Sequence, residues 1–151
     1  MLFCGCAGKS GDKSPAPAAT GPKAQTGLPT TIVSITTPDQ VYRFTSEVAT
    51  TSEQQSTGMM YRTSLDEDKG MLFVFASESS LSFWMKDTLI PLDMIFIGAN
   101  KKIVGINHDA VPQSTTSFTT KSPAKYVLEI KGGFCEAHGI AIGQSVAFDG
   151  Y

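Results

Sequence analysis

From Thr30 onward, apolar and polar positions follow one another in short runs with the period of strands. Thr30 to Thr36 is rich in β-branched residues, and Gln40 to Ala49 sets Val41, Tyr42, Phe44 and Val48 among polar neighbours. Pro38-Asp39 between these runs is a turn signal. Thr50-Thr51-Ser52-Glu53 reads as a helix start, with Thr50 capping and Glu53 reaching back, and predicts a helix from Ser52 to about Met59. Met71 to Phe75 is wholly apolar and suits a buried strand, with further strands at Ser82 to Lys86 and Asp93 to Gly98. Ala99-Asn100-Lys101 makes a hairpin turn into a strand from Ile103 to Asn107, and Val111 to Ser122 reads as a long loop. Tyr126 to Ile130 is a strand broken by Gly132-Gly133; Phe134 to His138 gives one or two helical turns; Ser145 to Phe148 is a last strand. Seven or eight short strands with one or two short helices predict a mainly β, single-domain sandwich or barrel over residues 30–151.

Upstream the pattern stops. Residues 7–29 are dominated by Gly, Ala, Pro, Ser, Thr and Lys, with Leu28 the only large apolar side chain. Such a segment buries too little surface to offset its ordering entropy, and predicts a tether. Ahead of it, Phe3-Cys4-Gly5-Cys6-Ala7 resembles a bacterial lipoprotein processing site. Cys6 is the residue expected to carry the lipid, because Gly5 before it is small while Phe3 before Cys4 is bulky. Residues 1–6 then read as the remnant of a lipoprotein-type signal region, whose basic and apolar parts would lie further upstream. The expected partner is a membrane, held through Cys6, and the expected location is the bacterial cell envelope, outside the cytoplasm. Cys4 and Cys6 as a metal pair would supply two ligands where four are usual. Gly8-Lys9-Ser10 lacks the rest of a phosphate-binding loop.

Charge narrows the partners. The 151 residues carry a formal net charge of −2 and no basic stripe, which argues against nucleic acid and against a polybasic membrane patch. No apolar run approaches the ~20 residues that span a bilayer as a helix.

Gly58 to Phe96 is the densest stretch chemically: GMMYR, GMLFVF, FWMKDT and PLDMIF bring Met59, Met60, Met71, Met85, Met94, the only tryptophan and several charges into apolar surroundings. Glu53, the Gly58–Arg62 run, Leu65, Gly70 to Phe75, Phe83-Trp84-Met85-Lys86, Thr88, Leu92-Asp93 and Phe96 together resemble the domain of unknown function 192 family. Val127-Leu128-Glu129-Ile130, Gly132-Gly133, Gly139-Ile140 and Gly143 fit its C-terminal half, so the resemblance runs from about Thr30 to Phe148. It implies a compact, mostly β domain, often exported in bacteria, with no established activity; the residues suggest no cofactor. That family commonly has Asn after Trp-Met-Lys; this chain has Asp87, so a role resting on a neutral amide there does not carry over.

The residues themselves leave three functions open. Asp93 lies between Leu92 and Met94, and Glu129 between Leu128 and Ile130, where unpaired carboxylates are costly. They are either ion-paired, Arg62 with Asp93 for instance, or an acid/base pair of a hydrolase with Trp84 as a sugar-stacking platform. Arg62, Trp84, Lys86 and Asp87 suggest instead a pocket for a small polar or glycan-like ligand, in a binding or accessory module. The clustered methionines offer soft ligands for Cu(I), but thioethers also fill irregular cores. Alternation sets Phe83, Met85, Leu92, Met94 and Phe96 in the core, leaving Trp84, Lys86 and Asp87 outside it. Cys135 and His138, three apart on a helical turn, supply two ligands only, and Cys135 reads as a buried structural thiol.

Overall fold

In a computed structural model of the chain, residues 21–151 are described. Cys4, Cys6 and Gly8-Lys9-Ser10 lie outside them. The elements are β1 (Thr30–Thr36), β2 (Val41–Ala49), α1 (Ser52–Thr57), β3 (Lys69–Ser79), β4 (Ser82–Phe83), β5 (Leu92–Ile97), β6 (Ile103–Ala110), β7 (Phe118–Thr119), β8 (Ala124–Lys131), α2 (Phe134–Ala137) and β9 (Ser145–Ala147). The domain is mainly β, as expected. Two strands fall inside stretches read differently: β4 stops at Phe83, and β7 interrupts the expected loop over 111–122 to pair with it.

Seven strands form one sheet in the order β6-β5-β8-β3-β2-β1-β9, and β4 and β7 form a small second one. Every neighbouring pair is antiparallel except β2 and β3, which run parallel. A parallel pair needs a crossover rather than a hairpin. Here the crossover is α1 and the loop after it, which lie over one face of the sheet. The sheet curls into a half-barrel, and its two edges touch at one end. Lys102 bridges to Ser145, with the Val146 N–H donating to Lys101 O at 2.9 Å and the Ile103 N–H to Gln144 O at 3.0 Å.

Helix α1 starts at Ser52, where the sequence suggests, but its cap lies one residue later than expected. Thr51, not Thr50, is the cap: its hydroxyl accepts from the Gln54 N–H at 3.2 Å, and the Gln54 side-chain oxygen accepts from the Thr51 N–H at 3.1 Å. The helix ends at Gly58, whose φ of +47° favours glycine, and a Cβ there would come within 3.2 Å of the Phe73 ring.

The central strands are apolar on both faces because both faces are covered. Every residue of β5 is buried, so alternation alone does not divide it into core and surface. On one face Leu72, Ile95 and Leu128 join Val33, Phe44 and Cys135 under α2. On the other, Met71, Phe73, Met94, Phe96 and Val127 join Met59, Leu81 and Met85, under the crossover and the β4–β7 arm. The arm is fastened by aromatic edges. The Phe83 ring stands 5.2 Å from that of Phe73 and 5.8 Å from that of Phe96, both nearly perpendicular, and Phe118 adds a contact of 5.4 Å to Phe96. Such pairs contribute about 0.5–1.5 kcal/mol each beyond the area they bury. They hold Trp84, the next residue in the chain, at a fixed height above the sheet. Among the described residues no helix is long and apolar enough to cross a membrane.

Candidate functional site

The register of the sheet lines up one row of side chains on the face beneath the crossover. Glu47 of β2 pairs with Met71 of β3, Met71 with Glu129 of β8, Glu129 with Met94 of β5, and Met94 with Asn107 of β6. Glu129 thus sits between two thioethers, 4% exposed, and its Oε2 has no hydrogen-bond partner. Burial pushes its carboxyl up to about 8, against the opposing pull of the Arg62 guanidinium. Arg62 is near enough to be felt but is committed elsewhere. Its Nη2 meets Glu47 Oε2 at 2.5 Å and donates to Gln25 O at 3.1 Å, while its buried Nε is unpaired. Gln25 also reaches over the row, donating to Gln54 O at 2.9 Å, Gly58 O at 2.8 Å and the Met71 sulfur at 3.7 Å.

Asp93 belongs to the opposite face. Its partner on β8 is Ile130, while Glu129 faces Met94, one position on. A shift of one residue sends a side chain through the sheet. The two carboxyls therefore do not converge, which overturns the hydrolase pair; nor does Asp93 meet Arg62, which pairs with Glu47 instead. Asp93 is taken up by main-chain donors: Oδ1 accepts from the Asp109 N–H at 2.7 Å and the Gly133 N–H at 3.0 Å, and Oδ2 from the Cys135 N–H at 2.7 Å. It ties β5 to the end of β6 and to the first turn of α2. Cys135 beside it is fully buried, and its thiol is pushed far up, first by burial and then by the Asp93 charge. That is an inert thiol.

Between the crossover and the β4 arm the row opens to solvent in a cleft of about 310 Å³. Phe73, Phe75, Phe83 and Trp84 wall it with Met59 and Met60; Gln55 and Thr88 stand at its sides; Glu129 lies at its floor. Trp84 is 46% exposed, so its ring is not spent on the core. Lys86 places its ammonium 5.4 Å from the Trp84 ring centroid. Asp87 turns the chain back with φ +55°. Its carbonyl accepts from the Tyr61 N–H at 2.9 Å and its Oδ2 from the Tyr61 hydroxyl at 3.3 Å, which ties the arm to the crossover.

Of the residues singled out by sequence, Trp84 and Glu129 share the cleft and Arg62 stands beside Glu129. Lys86 and Asp87 shape the turn that carries Trp84, and Asp93 is elsewhere. The sequence offered no sign of Gln25, Glu47, Gln55 or Phe75 as participants. Only the glycine-methionine run at 58–60 pointed to that side of the molecule. Met59, Met71, Met85 and Met94 are all buried in the cluster beneath the cleft and pack there. Among the described residues no group of three or more His, Cys, Asp or Glu side chains is placed to hold a metal ion.

The family model described as Uncharacterized ACR, the domain of unknown function 192, matches residues 33–148. No curated protein matches the chain. Among solved structures, a protein of unknown function from Novosphingobium aromaticivorans DSM 12444 is 37% identical with a TM-score of 0.79; the match covers 85% of this chain and 94% of that one. A protein from Sinorhizobium meliloti 1021, provisionally described as a transcription regulator, is 32% identical with a TM-score of 0.80, over 84% of this chain and 99% of the other.

Proposed function

The chain belongs to the domain of unknown function 192 family, and from that premise we propose that it is a small-molecule binding module of the bacterial envelope, tethered by a lipid on Cys6. One observation carries the binding reading: a buried carboxyl with an unpartnered oxygen at the floor of an aromatic cleft whose rim holds a half-exposed tryptophan. Concave, largely apolar walls around a few polar groups are the ordinary form of a ligand site. Among the described residues the cleft holds one carboxyl and no second one facing it, which favours recognition over paired acid/base hydrolysis. Nucleic-acid binding, the provisional reading of the Sinorhizobium relative, would need a cationic surface, which a net charge of −2 does not provide. The support for the envelope is the sequence context of Cys6 and the composition of residues 7–29.

Trp84 is the only tryptophan, so its fluorescence reports this cleft and nothing else in the chain. Titrating the full chain with a small-molecule extract of its own cell envelope is expected to shift the emission, and Phe83→Ala, which removes a wall, to weaken the response. An emission spectrum that no fraction moves would end the binding reading.

A further inference from the structure

We infer that the ligand of the cleft is a small organic cation, an alkylammonium, with Glu129 as its counter-ion and the rings of Trp84 and Phe83 as its walls. This deepens the binding reading and rests on it.

Glu47 and Arg62 neutralise one another, at 2.5 Å, and Arg62 spends its remaining Nη2 bond on Gln25 O. Glu129 is left over, buried, with Oε2 unpaired. A buried carboxylate without a partner is strongly unfavourable, so Glu129 either keeps its proton or calls for one positive charge beside it. A monovalent cation from solvent would restore the balance, and the cleft leads from solvent to that carboxyl.

The walls agree with the floor. Aromatic faces attract ammonium groups, Trp most of all, and thioethers are soft and polarisable. The Trp84 ring already draws the Lys86 ammonium to 5.4 Å. The neutral groups at the sides point the same way. Gln55 donates its amide hydrogens to Ala49 O and Val74 O, at 3.3 and 2.8 Å, so what it offers a ligand is its acceptor oxygen. An anion would meet an acidic floor, with the nearest guanidinium, Arg62, held by Glu47 and the Lys86 ammonium drawn to the Trp84 ring.

Protonation makes the site self-gating. The Glu129 carboxyl, pushed up to about 8, is mostly neutral at pH 7 and must release its proton to solvent when a cation docks. The groups that face it are Arg62 from the crossover, Glu47 behind Arg62 on β2, Met71 of β3 and Met94 of β5, with Lys86 at the rim on the arm. None of these carries a histidine. A quaternary ammonium does not titrate, so the pH dependence of its binding reads Glu129.

The test uses the full chain, Trp84 fluorescence and two probes of one shape: choline, and 3,3-dimethyl-1-butanol, its uncharged carbon analogue. Choline is expected to bind roughly tenfold or more tightly than the analogue at pH 8.5. Its affinity should rise about tenfold from pH 7 to pH 9, as a carboxyl near 8 requires. Glu129→Gln is expected to remove both the preference and the pH slope. The wild-type pH profile needs no variant and decides the matter even where the variant fails to fold. Equal binding of the two probes, or a flat pH profile, overturns the cation assignment and leaves the cleft a binding site. A sugar or an anion that moves Trp84 while choline does not overturns it likewise. If nothing moves Trp84, both readings fall together.

Discussion

Glu129 is an acid set where charge is expensive, and its cost depends on pH. In the unfolded chain its carboxyl titrates near 4.5; in the fold it is pushed up to about 8. The folded chain therefore holds a proton that the unfolded chain has shed across that window. The stability this contributes is complete below about pH 4.5 and is lost as pH rises through 8. Glu129→Gln removes the titration. Relative to wild type, urea unfolding is expected to favour the variant by on the order of 2–4 kcal/mol more at pH 8.5 than at pH 4.5. A pH-independent difference between the two proteins would show that Glu129 finds a partner in the fold. The sequence exposed this residue as a charge within Val127-Leu128-Glu129-Ile130, and that much was legible. Its lack of a partner was not, because Arg62 is claimed by Glu47, 15 positions earlier, and by the backbone of Gln25.

At the level of elements, Asp93 does the work of a clasp. One carboxylate gathers the N–H groups of Asp109, Gly133 and Cys135, so it ends β6, turns the chain after β8 and starts α2. Asp93→Ala leaves three donors unanswered and is expected to cost about 3–5 kcal/mol in urea unfolding, with Asp93→Asn costing less. Because the clasp lies across the sheet from the cleft, Asp93→Asn should leave any ligand response of Trp84 unchanged. Loss of that response in a folded variant would contradict the division into two faces. Gly70 shows how close the strands come in this region: a Cβ there would stand 2.7 Å from the Glu129 carbonyl oxygen. Strand positions were largely legible from β-branched runs and turn residues, and β1 lies where the sequence put it. Which strand neighbours which was not. The adjacency of β3, β8 and β5 sets Met71, Glu129 and Met94 side by side, and it joins segments far apart in sequence. The cap of α1 was misplaced by one residue because Thr50 and Thr51 are both able cappers. The Gln54 N–H, which donates to the Thr51 hydroxyl, decides between them.

For the molecule as a whole, the mainly β class and the family were legible from motifs spread over the globular part. The cleft was not, since its walls come from the crossover, β3 and the β4 arm and meet only after the sheet has formed. The anchor belongs to the same scale. In the native host, Cys6→Ser is expected to move the protein from the membrane pellet to the soluble fraction. Equal partition of variant and wild type would remove the lipid from the account. The segment leading from the proposed anchor reaches the domain through Gln25, whose amide grips Gln54 O and Gly58 O and rests on the Met71 sulfur, ahead of the seven-residue ladder between β1 and β2. Any pull applied at the N-terminal end is borne by those few bonds before the sheet feels it. One of those bonds ends on the carbonyl of Gly58, at the wall of the cleft, so tension on the proposed tether would act directly on the lining of the cavity.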